Sequence, residues 1–515
     1  MWLEMLLLFT VLWLIYKQWV IVYSYWQGKG FPFVKGTFPF GSYPNNLFFS
    51  DYFGNVHQQL YEELDPHPIG GFYLGRKPEL IARDPEIIKK ILVKDFNHFK
   101  TRNDFPSHGV LSKHLFSVDG DLWRPLRVKL TPTFTSGKLK AMFFLFKECS
   151  AKLDEQFKQI ADNEGEIEVK DWMARFTTDI ICSCAFGLEV NSIDKPDNEL
   201  RTIGKDIFLP YVKIHLVMTR VLISMIPFLS QFLRVRPFPK TMEKRMISII
   251  KETVNYREKN NIIRNDFLDL LIDLKNKDNL NEHKSRKGNE ASELLENDLK
   301  MDLDLMTAQC FVFFAAGFET SSSVLSYCLF ELTVNEDIQN KLRSEIDEVL
   351  KKHNGEITYQ AIQEMTYLEQ VILETLRKYP TLPFLTRICT QRYKIPDTDL
   401  VVDKGTRVFI PVYALHHDPK YFPEPEKFLP ERFSPENKLS IPPYAYLPFG
   451  EGPRICIGMR FGLLQTKTGI LTILSKYKLI KTPDTPNQLA FLPTGLITGI
   501  KDRLTVKIVH RNKIM

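Results

Sequence analysis

One stretch concentrates residues that could do chemistry: Phe449-Gly-Glu-Gly-Pro-Arg-Ile-Cys-Ile-Gly458, framing a single cysteine, Cys456. Glycines at 450, 452 and 458 let the backbone turn sharply and approach a flat ligand where a side chain would obstruct it. After Cys456 the apolar spacing of Met459, Phe461, Leu463, Leu464 and Leu471 predicts a helix, so the sulfur sits near a helix N-terminus that favours a thiolate. Such a sulfur is a soft, anionic metal ligand. A second stretch, Ala315-Ala-Gly-Phe-Glu-Thr-Ser321, sets small residues beside an acid and a hydroxyl inside a helical pattern running from about Asp302 to Val334. Glycine within a helix costs about 1 kcal/mol relative to alanine, and threonine can bond backward to a carbonyl, so this place is disposed to bend and admit water. Tight helix packing is the plainer account of the same residues. Two further pairs have helical spacing: Trp123 with Arg127, able to converge on one carboxylate, and Glu374 with Arg377, able to form an ion pair.

The elements that must position these groups are read from the remaining pattern. The chain has 515 residues, 44% hydrophobic and 25% charged, enough for a large core. Its net charge of +6 comes from 68 basic and 62 acidic residues spread along the chain, which gives no support for nucleic-acid binding. Six other cysteines (149, 182, 184, 310, 328 and 389) lie mostly in apolar surroundings and read as reduced core thiols, as expected of a domain facing the cytosol. Residues Trp2 to Trp26 are apolar, with only Glu4 and Lys17 charged, close to the roughly 20 residues that cross a bilayer. Tyr23-Ser24-Tyr25-Trp26 offers an interfacial aromatic belt, Lys29 and Lys35 follow it, and a tilted or interfacial helix is the alternative to a span. A Pro/Gly linker follows, then a hairpin about Gly75-Arg76-Lys77-Pro78 and a helix capped by Asp84-Pro85. Residues 101–122 form an irregular aromatic loop, 138–275 are helical, and 275–300 read as a solvated linker.

Phe449-x-x-Gly452-x-Arg454-x-Cys456-x-Gly458 resembles the haem-binding signature of the cytochrome P450 haem-thiolate monooxygenases. Trp123-x-x-x-Arg127, Ala315 to Thr320, Glu374-x-x-Arg377 and Pro430-Glu-Arg432-Phe433 resemble four more motifs of that family, in its order, and the run from Asp119 to Lys138 looks like insect detoxifying members. The resemblance implies a mainly α fold with small β-sheets: an N-terminal membrane anchor helix at 1–26, a linker at 27–45 and one catalytic domain at 46–515. It implies haem b with Cys456 as axial ligand and Phe449 shielding the sulfur, Gly458 completing the loop. Arg454, Trp123, Arg127 and Arg387 would meet the propionates. Ala316 and Gly317 would make room for dioxygen, and Glu319 and Thr320 would arrange protons. Glu374, Arg377 and Arg432 would form a structural network. Phe105, Leu115, Phe116, Phe314, Leu382, Phe384, Leu385 and Leu496 would meet the substrate. The implied activity is oxygen insertion into lipophilic compounds, such as plant toxins or insecticides, at the endoplasmic reticulum membrane. The implied partners are NADPH-cytochrome P450 reductase, for which Arg124, Lys129, Lys138 and Lys140 are docking candidates, and cytochrome b5. Oxidation of endogenous lipids, steroids or hormones, a haem-thiolate isomerase or dehydratase, and a haem protein that only sequesters ligands are the alternatives.

Overall fold

In the computed structural model, residues 2–37, 40–42, 51–102, 108–120, 122–208, 236–285, 300–493 and 497–511 are described. Among them are nine strands: β1 Ile69–Leu74, β2 Lys77–Ala82, β3 Glu166–Glu168, β4 Leu385–Ile388, β5 Tyr393–Lys394, β6 Val401–Val402, β7 Arg407–Ile410, β8 Tyr477–Lys481 and β9 Thr505–His510. The expected hairpin is β1 with β2, with Leu74 opposite Lys77, so the turn is tighter than the sequence suggested. Gly75 takes the left-handed φ of 59° that this turn requires. β2 then pairs in parallel with β7, which pairs antiparallel with β4, in the order β1-β2-β7-β4. Sheets β3-β9-β8 and β5-β6 are separate.

The rest is helical and surrounds one helix, Leu303–Val334. Apart from residues 315–320 it is buried along almost its whole length, which follows from side chains that are apolar on every face. Asp302 caps it, its Oδ1 accepting the Leu305 N–H at 2.7 Å. The helices Val169–Phe186 and Met459–Leu474 pack against it. Two cores result: one fills the helical part, and one joins the four-stranded sheet to the N-terminal segment.

That second core corrects two expectations. A helix Trp2–Tyr23 forms and exposes Trp2, Phe9 and Trp13, but among the described residues no helix is long and apolar enough to cross a membrane. Glu4, Lys17 and the half-polar Trp and Tyr rings dilute its apolar character. Nor is Trp26 interfacial. It is 1% exposed, and its Nε1 donates to the Phe72 carbonyl at 3.0 Å. Tyr73 Oη donates to the Tyr23 carbonyl at 3.0 Å and the two rings meet edge to face, so the helix is joined directly to the sheet. The linker expected to begin at Lys275 is also displaced, because the helix Phe267–Ser285 runs through its first part.

Candidate active site

The Cys456 loop is shaped by its backbone. Gly450 and Gly452 both have left-handed φ, 70° and 73°. A Cβ on Gly452 would stand 2.0 Å from the Leu92 carbonyl oxygen, so that glycine serves a close approach to another chain segment, not to a flat ligand as the sequence suggested. Cys456 N–H donates to the Phe449 carbonyl at 2.9 Å, closing the loop into a compact turn. The other six cysteines are buried; Cys456 alone is exposed. Its sulfur nevertheless lies deep in the protein, and exposure at such depth means that it faces open space inside the fold. Burial pushes this thiol up, while the Gly458 N–H and the Arg127 and Arg102 guanidinium groups pull it down. Gly458 has nothing within 4 Å of its missing side chain, so the space beside the backbone there is open.

Four arginines gather beside this thiol. Arg454 Nη2 donates to Asp119 Oδ1 at 2.6 Å and to the Val118 carbonyl at 3.1 Å, and its guanidinium lies 4.5 Å from the centre of the Trp123 ring. Arg102 Nη2 donates to the Arg454 carbonyl at 2.7 Å. Arg387, buried on β4, donates through Nη1 to the Thr386 carbonyl at 2.8 Å. Arg127 follows Trp123 by one helical turn in the helix Trp123–Leu130 and acts electrostatically on Cys456. Burial pushes Arg387 and Arg102 well down from the usual arginine range, and their mutual repulsion with Arg454 adds to this. Asp119 opposes it only partly. Among the described residues, three buried nitrogens, Nε and Nη1 of Arg454 and Nε of Arg387, have no hydrogen-bond partner. Unpaired buried donors of this kind are costly, and a flat ligand carrying two carboxylates would offset the crowded positive charge of the groups that bear them.

The central helix supplies the other wall. Ala316 is exposed although Phe314 and Phe318, two residues to either side, are buried, so it too faces open space. Thr320 Oγ1 donates to the Ala316 carbonyl at 2.7 Å, the backward bond expected of a threonine here. Glu319 pairs with Lys170 Nζ at 3.0 Å, and the same ammonium donates to Ser322 Oγ and Ser323 Oγ, each at 2.9 Å. Ser321 Oγ comes within 3.8 Å of where a Cβ on Gly462 would stand, so this stretch crosses the helix that follows Cys456.

Known proteins bear directly on this arrangement. The sequence profile of the Cytochrome P450 family matches residues 38–505. The chain belongs to the cytochrome P450 family. The P450 is 40% identical to probable cytochrome P450 6a14 of Drosophila melanogaster, over 97% of this chain and 98% of that one. It is 40% identical to cytochrome P450 6k1 of Blattella germanica, over 94% and 92%, and 39% identical to cytochrome P450 6a2 of Drosophila melanogaster, over 93% of each. It is a haem-thiolate monooxygenase by family. The residues present fit that cofactor: an exposed thiol at depth and an exposed alanine on the central helix, with a crowded cluster of guanidinium groups beside the thiol.

In this P450 several expected residues point elsewhere. Gly317 does not open the cofactor space: a Cβ there would meet Ile181 Cδ1 at 2.7 Å, so its smallness lets two helices pack closely. Phe314 is fully buried against Phe186 and Phe318, because two residues along a helix turn it about 200° away from Ala316. Phe384 is half-buried and packs, tilted, on His57, 4.6 Å between centres, and on Phe409, against the sheet core. Strand alternation puts Leu385 on the other face, the one it shares with Arg387, and Leu385 Cδ1 lies 3.6 Å from a Cβ built on Gly450. Leu115 is buried in the helical core, Leu382 is half-buried, and Phe116 is exposed beneath the Arg102 guanidinium. Phe105 and Leu496 lie outside the described residues.

The three-residue network forms as expected. Glu374 and Arg377 are fully buried and paired through two bonds, 2.8 and 2.9 Å, and Arg432 Nε reaches Glu374 Oε1 at 3.3 Å. Sequence reasoning missed two members of the site. Arg102 sits in an irregular loop with no periodicity to single it out. His416 links the network to the cysteine loop: its Nδ1 donates to the Arg377 carbonyl at 3.2 Å, and its Nε2 accepts the Leu447 N–H at 2.9 Å. Burial, His417 and Arg377 hold His416 well below the usual histidine range, which keeps Nε2 free to accept.

Proposed function

We propose that this P450 takes electrons from an NADPH-dependent flavoprotein reductase and inserts one oxygen atom from dioxygen into lipophilic substrates, chiefly foreign compounds such as plant toxins or insecticides. The observation that carries the reading is the exposed thiol of Cys456 at depth beside crowded guanidinium groups that share one carboxylate, Asp119, and keep nitrogens unbonded among the described residues. Kinship with insect P450s supports the substrate class.

In this reading the Cys456 thiolate would hold the haem iron, and haem held there would supply the oxygen-activating chemistry that no side chain has. Arg454, Arg387, Arg102 and Arg127, with Trp123, would hold the propionates, and Phe449 and Gly458 would complete the thiolate's surroundings. Ala316 leaves room on the opposite wall. Thr320 holds a hydroxyl proton at Oγ1, now given to the Ala316 carbonyl, and Glu319 is the neighbouring acid. The Lys170 pairing places the Glu319 carboxylate at the edge of the interior, where protons arrive from solvent. The helix Trp2–Tyr23 lays its exposed aromatic side chains into the endoplasmic reticulum membrane, with the catalytic part in the cytosol. Exposed Arg124, Lys138 and Lys140, with half-buried Lys129, meet an acidic reductase surface, and cytochrome b5 is a second electron donor.

Turnover of a panel of lipophilic compounds with reductase and NADPH tests the reading. Product that requires dioxygen supports it. Conversion by peroxide alone, or tight binding with no product across the panel, contradicts it.

A further inference from the structure

We propose that Gln309 is a positioning residue for substrate selection, acting through a strap, residues 113–119, that Gln309 and Arg454 hold at its two ends. The proposal rests on the monooxygenase reading above for what the strap faces. Gln309 is fully buried in the Leu303–Val334 helix and makes three of the four hydrogen bonds its amide offers. Its Oε1 accepts the Leu115 N–H at 2.9 Å; its Nε2 donates to the Lys113 carbonyl and, within its own helix, to the Leu305 carbonyl, both at 3.1 Å. At the far end, Arg454 donates to the Val118 carbonyl at 3.1 Å and to Asp119 at 2.6 Å, and the Arg102 N–H donates to Asp119 at 3.2 Å. The middle is a closed turn: Ser117 N–H and Val118 N–H both donate to the His114 carbonyl, and Ser117 Oγ lies 3.1 Å from His114 Nε2.

The side chain left over is Phe116. It is 40% exposed between the two anchored ends, and its ring lies 4.8 Å from the guanidinium carbon of Arg102, which is itself bonded two residues from Cys456. A short turn tied at both ends has few ways to place its middle side chain. Ala316 follows Gln309 by seven residues, two helical turns, so both lie on one face of the helix about 10 Å apart. One rigid helix therefore presents Ala316 and, through a single amide, fixes where Phe116 stands. Arg454 gives the strap a second tie to the group that would meet a propionate.

Gln309→Leu keeps the volume and removes all three bonds. In the haem-loaded full chain, hydrogen exchange at the amides of residues 115–117 is expected to quicken on the order of tenfold, the unpaired Leu115 N–H and Lys113 carbonyl favouring local opening. Binding of the flat aromatic ether ethoxycoumarin, read from the spin-state shift, is expected to weaken several-fold, while the reduced, carbon-monoxide-bound spectrum per chain is unchanged. Phe116→Ala should weaken ethoxycoumarin similarly, and in that background Gln309→Leu should add nothing. Unchanged exchange in Gln309→Leu overturns the tie. Equal further weakening in the Phe116→Ala background overturns the route through Phe116. If Phe116→Ala alone leaves ethoxycoumarin binding untouched while the haem spectrum stands, the strap does not face substrate and the proposal fails without touching the monooxygenase reading. Should Gln309→Leu not accumulate with haem, Gln309→Glu, which keeps an acceptor for Leu115 N–H, is expected to move exchange and binding in the same direction by less, and no change in either overturns the proposal.

Discussion

Arg387 carries its charge in a buried place with one backbone partner and an unsatisfied Nε. A hydrogen bond to a charged group contributes about 1.5–3 kcal/mol, so Arg387→Met is expected to lower haem retention roughly 10- to 100-fold. Because an unneutralised buried charge opposes folding, the haem-free variant should be no less stable than the parent in chemical denaturation. A matching loss of stability without haem would contradict the role. Arg377→Leu differs: it leaves fully buried Glu374 with only the Leu429 N–H and the more distant Arg432 on Oε1, and is expected to cost about 3–5 kcal/mol whether or not haem is bound. Both arginines were legible in the sequence, Arg377 because Glu374 lies one helical turn away and Arg387 through the family's order of motifs. Arg102 was not, since its partner Arg454 lies 352 residues away and no local spacing betrays the contact. Phe314 differs for another reason: the family resemblance does not record which face of the helix Ala316 defines, and Phe314 lies about 200° away from it.

The cysteine loop depends on elements beneath it. Gly452 combines φ of 73° with a carbonyl 2.0 Å from any added Cβ, so Gly452→Ala must displace backbone and is expected to cost about 1–3 kcal/mol and most of the thiolate-bound haem. Gly458→Ala, at negative φ and in open space, should leave the haem-free fold within about 0.5 kcal/mol. Thermal melts of the two haem-free variants check the contrast. His416 ties the buried Glu374–Arg377 pair to Leu447, two residues before Phe449, and does so only while neutral. Its folded pKa lies well below the ordinary 6.5, so on acidification the unfolded chain takes up the proton first. The stability it contributes is complete above about pH 6.5 and is lost as pH falls toward the folded value, at about 1.4 kcal/mol per pH unit. His57 and His114, both pushed down to about 4 by burial, add to the same acid-side loss. His416→Gln, whose amide can donate and accept once each, should flatten the pH dependence of the unfolding free energy by one proton between pH 6.5 and 4. An unchanged slope would refute the linkage. Helix boundaries such as Leu303–Val334 and the β1–β2 hairpin followed from periodicity and turn residues. The parallel pairing of β2 with β7 did not, because nothing local records a partner so distant along the chain.

Across the whole molecule, the N-terminal helix and the sheet are one mechanical piece. Trp26 is a core residue of that joint, so deleting residues 2–20 should leave the haem spectrum and melting temperature nearly unchanged, whereas deletion through Gly30 should cost about 3–5 kcal/mol, as expected on emptying a buried tryptophan site. Vesicle co-sedimentation should be lost in the shorter deletion already, because the exposed Trp2, Phe9 and Trp13 go with it. Fold class and the location of the site were legible because five short motifs fix them in order. The N-terminal helix was legible as a helix but not as a joint, since composition reports affinity for lipid and says nothing of the sheet edge that Tyr23 and Trp26 fill. The most direct measurement is the absorption spectrum of the dithionite-reduced protein under carbon monoxide. The account predicts the far-red-shifted Soret band of thiolate-ligated haem in the native chain and its loss in Cys456→Ala. A native chain without that band, or a Cys456→Ala chain that keeps it, would contradict the account at its base.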